Sequence, residues 1–352
     1  MKAPTGHTTP VCVVGTGACT AVGQSARSSG AAIRGGVAGF AEHPYMVDRD
    51  GEPMIVARVS QIESGASVLG RMLFLAKRAA NEAVAPLRVR NIQTNSLRVF
   101  IGLPAQRPGR PRDLEERTTI FLQRDLGFSS PQCIATGHAA GLMALEVAVR
   151  QVITGSSEFC VIGGVDSYLD ADTLEWLDEN ERLHGDSNPF GFIPGEAAGF
   201  CVICSERMVE RFRLDVLARV MTVAVAKETK LIKSRAVCIG QGLTEAFVKA
   251  LAALPSESDK IDSTICDMNG EAYRTDEYGF AIARISERFV NASDFVAPAD
   301  CWGDVGAASG PLFVNLAVES CQRGYAKGPR NLIWASSEGG DRGAAVVALE
   351  SY

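Results

Sequence analysis

The sequence predicts a layered α/β fold built from two similar halves. Three observations carry this reading. Short apolar runs alternate with helical stretches, a Gly/Ala-rich strand-to-helix turn occurs twice, and nearly equal lengths of chain precede it. Val11–Val14, Leu97–Leu103, Phe159–Gly163, Gly199–Cys204, Ala218–Val225, Thr264–Met268, Leu332–Ala335 and Ala344–Leu349 read as strands. They are short, mostly rich in β-branched residues, and bounded by Gly or polar clusters. Met72–Ala85, Gly141–Ile153, Leu243–Ala253 and Gly310–Cys321 read as helices. The first carries its charges on one face. Gly141–Ile153 is apolar almost all round, the mark of a buried helix.

The duplication is visible in the turns. The strand ending near Gly102 is followed, 36 residues on, by His138 in Gly137-His138-Ala139-Ala140-Gly141. The strand ending near Asn269 is followed, 35 residues on, by Asp304 in the turn Gly303–Gly310. An apolar helix and then another strand follow in both cases. The halves are taken as 1-212 and 213-352.

Composition narrows the function. The chain has 352 residues, 35 Lys+Arg against 41 Asp+Glu, and a formal charge of −6. With 46% hydrophobic residues it is globular rather than disordered or fibrous. The mild acidity and the lack of a basic block argue against nucleic acid as a partner. No apolar run is long enough to span a membrane, and the polar start carries no secretion signal. Ten cysteines without such a signal indicate reduced thiols and a cytoplasmic location. Cys201 and Cys204 form a lone C-x-x-C on a predicted strand, where residues three apart point to opposite faces. No metal or cofactor is expected. Gly15-Thr16-Gly17 after the first strand lacks the third glycine of a dinucleotide turn. Any histidine chemistry must draw on His7, His43, His138 and His184.

Four ordered motifs carry a family resemblance. Cys133–Leu145 resembles the nucleophile region of β-ketoacyl synthases. Pro189–Gly199 resembles their Pro-Gly-Glu-Gly-Ala-Gly motif, and Gly303–Gly310 their Gly-His-x-x-Gly-Ala-Ala-Gly turn. Ser337-Glu338-Gly339-Gly340 is similar to their Gly-Phe-Gly-Gly loop. The resemblance implies the thiolase-like fold, two pseudo-repeated halves in a five-layer α-β-α-β-α arrangement. It also implies a homodimer, joined through a strand near Phe159–Gly163.

The same resemblance marks what is missing. His138 stands where the family has its nucleophilic cysteine, and a helix N-terminus that favours a thiolate disfavours an imidazolium. Asn269 and Asp304 stand where it has two histidines, and Glu338 where it has a gating phenylalanine. Asn269 retains a donor for an oxyanion. Asp304 puts negative charge where negative charge must develop. A pseudoenzyme with no catalytic residue is the expectation, and His138 is read as a packed neutral ring with a local hydrogen bond. Three alternatives stay open: a His–Asp pair for base catalysis, part of a metal site, for which one histidine with carboxylates is weak ligation, and a polar network that closes the former pocket.

Three functions follow. The first is a non-catalytic scaffold or adaptor. Glu42–Asp48 and Gly51–Met54 resemble thiolase-like accessory proteins of type VI secretion, which implies a secretion adaptor or effector as partner. The second is a chain-length-factor-like subunit partnered by a ketosynthase. The third is an acyltransferase or hydrolase with altered chemistry at His138. Two further surfaces draw attention. Leu169, Thr173, Trp176 and Leu177 fall at helical spacing within an acidic segment, as core or dimer packing. Arg107–Arg112 reads as a solvated loop, or as an anchor for an acidic partner.

Overall fold

The computed structural model describes residues 11–350 except 233, 235, 253, 255 and 257. His7 therefore lies outside the described residues, as does residue 253 at the end of one expected helix. The strands are β1 (Val11–Thr20), β2 (Phe40–Val47), β3 (Pro53–Ala57), β4 (Arg98–Gly102), β5 (Ser129–Ile134) and β6 (Phe159–Ser167). The rest are β7 (Glu196–Cys204), β8 (Ala218–Lys227), β9 (Ser263–Cys266), β10 (Phe295–Val296), β11 (Arg330–Ser336) and β12 (Asp341–Leu349).

The two halves have one topology. The first runs β1-β7-β6-β4-β5 and the second β8-β12-β11-β9-β10. In each, the first three strands pair antiparallel and the last three pair parallel. The halves join where Val11–Val13 pairs with Ala218–Val220.

Two buried helices, Ala140–Ile153 and Ser309–Gln322, form the central layer, and one continuous apolar core joins them to strands of both halves. Outer helices close separate cores on the far faces. Val68–Ala83 packs over the first half and Gln241–Leu251 over the second. This is the α-β-α-β-α layering that the resemblance implied.

Glycine sets the closeness of the central layer. A Cβ on Gly141 would lie 2.4 Å from Pro311 Cδ, and one on Gly310 would lie 2.8 Å from the Leu142 nitrogen. Any larger residue there would force the two central helices apart.

Three expectations need correction. Gly15 and Gly17 do not form a turn; they lie inside β1, and a Cβ on either would come 2.1 Å from a carbonyl oxygen of the Val68–Ala83 helix. Phe159–Gly163 cannot join two subunits, because both edges of β6 are already paired, to β4 and β7. The strand left with an open edge in that half is β5. Arg107–Arg112 is a loop but only partly solvated: Pro108 and Arg112 are exposed, whereas Arg107 is salt-bridged to Asp166 and Arg110 is buried. Cys201 and Cys204 do face opposite sides of β7, in two different cores. All ten cysteines are free. Among the described residues no helix is long and apolar enough to cross a membrane.

Candidate functional site

The two strand-to-helix turns meet between the halves. His138 ends the turn that precedes one central helix, and Asp304 lies in the turn that precedes the other. His138 Nε2 lies 2.8 and 2.9 Å from the two Asp304 carboxylate oxygens. Asn269 Nδ2 donates to Asp304 Oδ2 at 2.6 Å, and the Gly306 amide donates to Oδ1 at 2.8 Å. Asn269 Nδ2 also reaches Glu271 at 3.1 Å. Arg182 holds Glu271 with two bonds of 2.7 Å and reaches Glu338 at 2.6 Å. His138, Asn269, Asp304 and Glu338 thus belong to one chain of contacts.

Sequence reasoning missed the groups that hold this chain together. Arg274 is fully buried and donates to Asp267 at 2.8 Å and to the Ser336 carbonyl at 3.0 Å. Arg107 donates to Asp166 at 2.6 Å and lies over the Tyr168 ring at 4.1 Å. Arg342 donates to Glu277 at 2.6 Å. The one local signal for Arg274 is Glu271 three residues ahead, at the N-cap of the helix Ala272–Ile285; Asp267 lies before that helix. No comparable signal marks Arg182.

The charges around His138 bias its protonation. Four arginines (Arg107, Arg182, Arg274, Arg342) face six carboxylates (Asp166, Asp267, Glu271, Glu277, Asp304, Glu338). Burial works against a charged imidazole, but the Asp304 carboxylate outweighs it and raises the His138 pKa. Burial likewise opposes ionisation of Asp304, and His138 outweighs it, holding that carboxyl well below the usual range. Arg182 overrides burial in the same way and lowers the pKa of Glu338. The expected local bond is therefore corrected: the partner is 166 residues away, and its carboxylate shifts the ring toward the charged form.

The Arg274 guanidinium comes within 3.2 Å of the same His138 Nε2. One ring nitrogen cannot serve both neighbours. The shorter approach of two anionic oxygens makes Nε2 the donor to Asp304. The second ring nitrogen, Nδ1, has no hydrogen-bond partner among the described residues. His138 lines a cleft of about 320 Å3 together with Arg107, Tyr168, Trp176, Ile232 and Glu338. Proton gain and loss on His138 therefore fall on Nδ1.

The chemistry this site supports is limited. The Ala139 amide, at the start of the first central helix, already donates to Ser337 Oγ at 2.9 Å. That removes a donor an oxyanion would need. The nearest thiol in sequence, Cys133, lies on β5, and burial raises its pKa. His43 accepts from the amides of Tyr45 and Met46, and His184 lies near the Pro189 carbonyl, so neither joins the site.

Comparison with known proteins agrees with this architecture. The model of the β-ketoacyl synthase N-terminal domain matches residues 122–208. No curated protein matches the chain by sequence. Among solved structures, the ishigamide ketosynthase/chain length factor superposes with a TM-score of 0.82 at 15% identity, covering 98% of this chain and 100% of that one. A type II PKS acyl-carrier protein in complex with its ketosynthase bound to the hexaketide gives 0.80 at 16% identity, again covering 98% and 100%. The ketosynthase from module 6 of the bacillaene synthase from Bacillus subtilis 168 gives 0.77 at 14% identity, covering 97% and 72%. The chain therefore has the α/β fold of the ketosynthases.

Proposed function

We propose that this chain is a non-catalytic protein of ketosynthase fold that acts by binding a protein partner. One observation carries the proposal: His138, at the nucleophile position of the resemblance, is tied to Asp304 in a buried ionic network. Its ring nitrogen is engaged as a donor, and the neighbouring helix amide is capped by Ser337. A transferable acyl group needs a free nucleophile and an open oxyanion site. Nε2 and the Ala139 amide are spoken for, which leaves Nδ1 as the ring nitrogen open to the cleft and no capping-free amide beside it.

The partner that fits best is a ketosynthase, which makes the chain a chain-length-factor-like subunit. The likeness to a ketosynthase/chain length factor over the full length of that chain supports this, and so does the open edge of β5. An unpaired edge strand is a template for pairing with another chain. A homodimer across β5 uses the same edge and competes with the mixed pair.

One observation favours the second reading, an adaptor role in type VI secretion. Residues 42–54, which carry that resemblance, lie in the hairpin β2–β3, apart from the ten-stranded sheet. Tyr45 is 75% exposed there.

Purification of the tagged full chain from its native organism, with mass spectrometry of what copurifies, separates these readings. A stoichiometric ketosynthase supports the first, and a secretion adaptor or toxin the second. A chain that copurifies with neither and turns over acyl thioesters alone overturns both.

A further inference from the structure

A second recess lies at the opposite end of the second central helix from the His138 network. That helix begins at Ser309, and the recess is lined by Leu316 and Ser320 further along it. Eleven residues at 1.5 Å each place Ser320 about 16 Å from the helix start. The recess holds about 210 Å3. Its walls are apolar: Ile33, Ile265, Val296 and Leu316. Its floor is not. Asn331 is only 2% exposed, and its amide nitrogen has no hydrogen-bond partner. An orphaned buried amide costs free energy that an apolar residue of similar size would not. Ser263 stands beside it in the strand register.

The recess shares Arg34 and Tyr325 with an adjoining basic cleft, which Arg27 and Arg323 also line. Arg34 lies over the Tyr325 ring at 4.5 Å. Arg27 and Arg34 have no carboxylate within ion-pair distance among the described residues. Glu319 tempers the patch by pairing with Arg323 at 3.8 Å, and Lys327 at the rim is paired with Asp294. The shared wall and the adjoining cleft keep a net positive charge.

We infer that this recess binds a small carboxylate whose apolar body ends in a hydrogen-bonding oxygen. The carboxylate sits at Arg34, on the side of the adjoining cleft that holds Arg27 and Arg323, the body fills the apolar walls, and the far oxygen accepts from the Asn331 amide. The volume is below the roughly 300–1,000 Å3 typical of drug-sized ligands, which limits the guest to about one ring. The site is separate from the His138 network and does not depend on how that network is used.

The probe is 4-hydroxybenzoate, titrated into the full chain and followed by the Asn331 side-chain amide resonances and by calorimetry. Saturable binding is expected, with the amide resonances shifting. Benzoate, which lacks the far oxygen, and p-cresol, which lacks the carboxylate, should each bind roughly tenfold or more weakly, because each leaves a site group unpaired. Asn331→Leu should abolish the preference for 4-hydroxybenzoate over benzoate while leaving the melting temperature unchanged or higher. Arg34→Gln should weaken both carboxylates and leave p-cresol unaffected. No saturable binding of 4-hydroxybenzoate to the wild-type chain overturns the inference. So does binding that is indifferent to the probe's two polar ends and to both substitutions.

Discussion

The two central helices start alike and are capped differently. Each begins at a Gly/Ala-rich turn, and each turn receives a cap from the other half, to which the second adds one of its own. The first helix takes a neutral hydroxyl, Ser337 Oγ on the Ala139 amide. The second takes carboxylates, with Asp166 on the Ala307 amide at 3.0 Å and Asp304 on Gly306. A helix N-terminus favours negative charge. The second turn is therefore a stable seat for Asp304, whereas His138 sits at the wrong end of the first helix for a cation. Its charge depends on Asp304. The fold is symmetric, but the charge flows one way, from the second half's acid to the first half's base.

Breaking the dominant partner should show this most clearly. Asp304→Ala leaves the His138 ring without the partner that raises its pKa, and an asparagine amide and Arg274 facing a void. Removing one member of a buried ion pair costs about 3–5 kcal/mol, and urea unfolding should show a loss of that size. His138→Ala should cost less, because Asp304 keeps Asn269, the Gly306 amide and the field of Arg274.

A pH series sharpens the asymmetry. The folded pKa of His138 lies above the ordinary 6.5. Its pairing thus contributes fully below that value and is lost as pH rises through the raised folded value. Asp304 is depressed, so its contribution is present above the ordinary carboxylate range and lost only in strong acid. Melting temperature against pH should decline on the alkaline side in the wild type, and His138→Asn should flatten that decline. An unchanged slope would mean that His138 is neutral throughout. The smallest effect belongs to the neutral cap: Ser337→Ala should cost about 1 kcal/mol by thermal unfolding, the usual value of a hydroxyl cap.

The two regions were also unequally legible. The layered fold was readable because its strands are short apolar runs and its central helices are apolar on every side. The edge strand β5 was not, since Ser129-Ser130-Pro131-Gln132 carries no strand alternation and pairs on one side only. Within the site, the four positions where reactive residues are replaced could be named from the family resemblance of the motifs around them. What binds them could not. Arg182 and Asp304 are far apart in the chain, and their link runs through Glu271 and Asn269. Arg107 looked like a loop arginine because its partner, Asp166, lies 59 residues away on a buried strand. Long-range ion pairs leave no local period.

The central claim is that this network holds His138 in structure rather than in chemistry. Intact-protein mass spectrometry tests it directly, after incubation of the chain with acyl-coenzyme A and with acyl-carrier thioesters. The account predicts no acyl adduct and no thioester turnover above the uncatalysed rate. An adduct or turnover that disappears in a folded His138→Ala variant would contradict it.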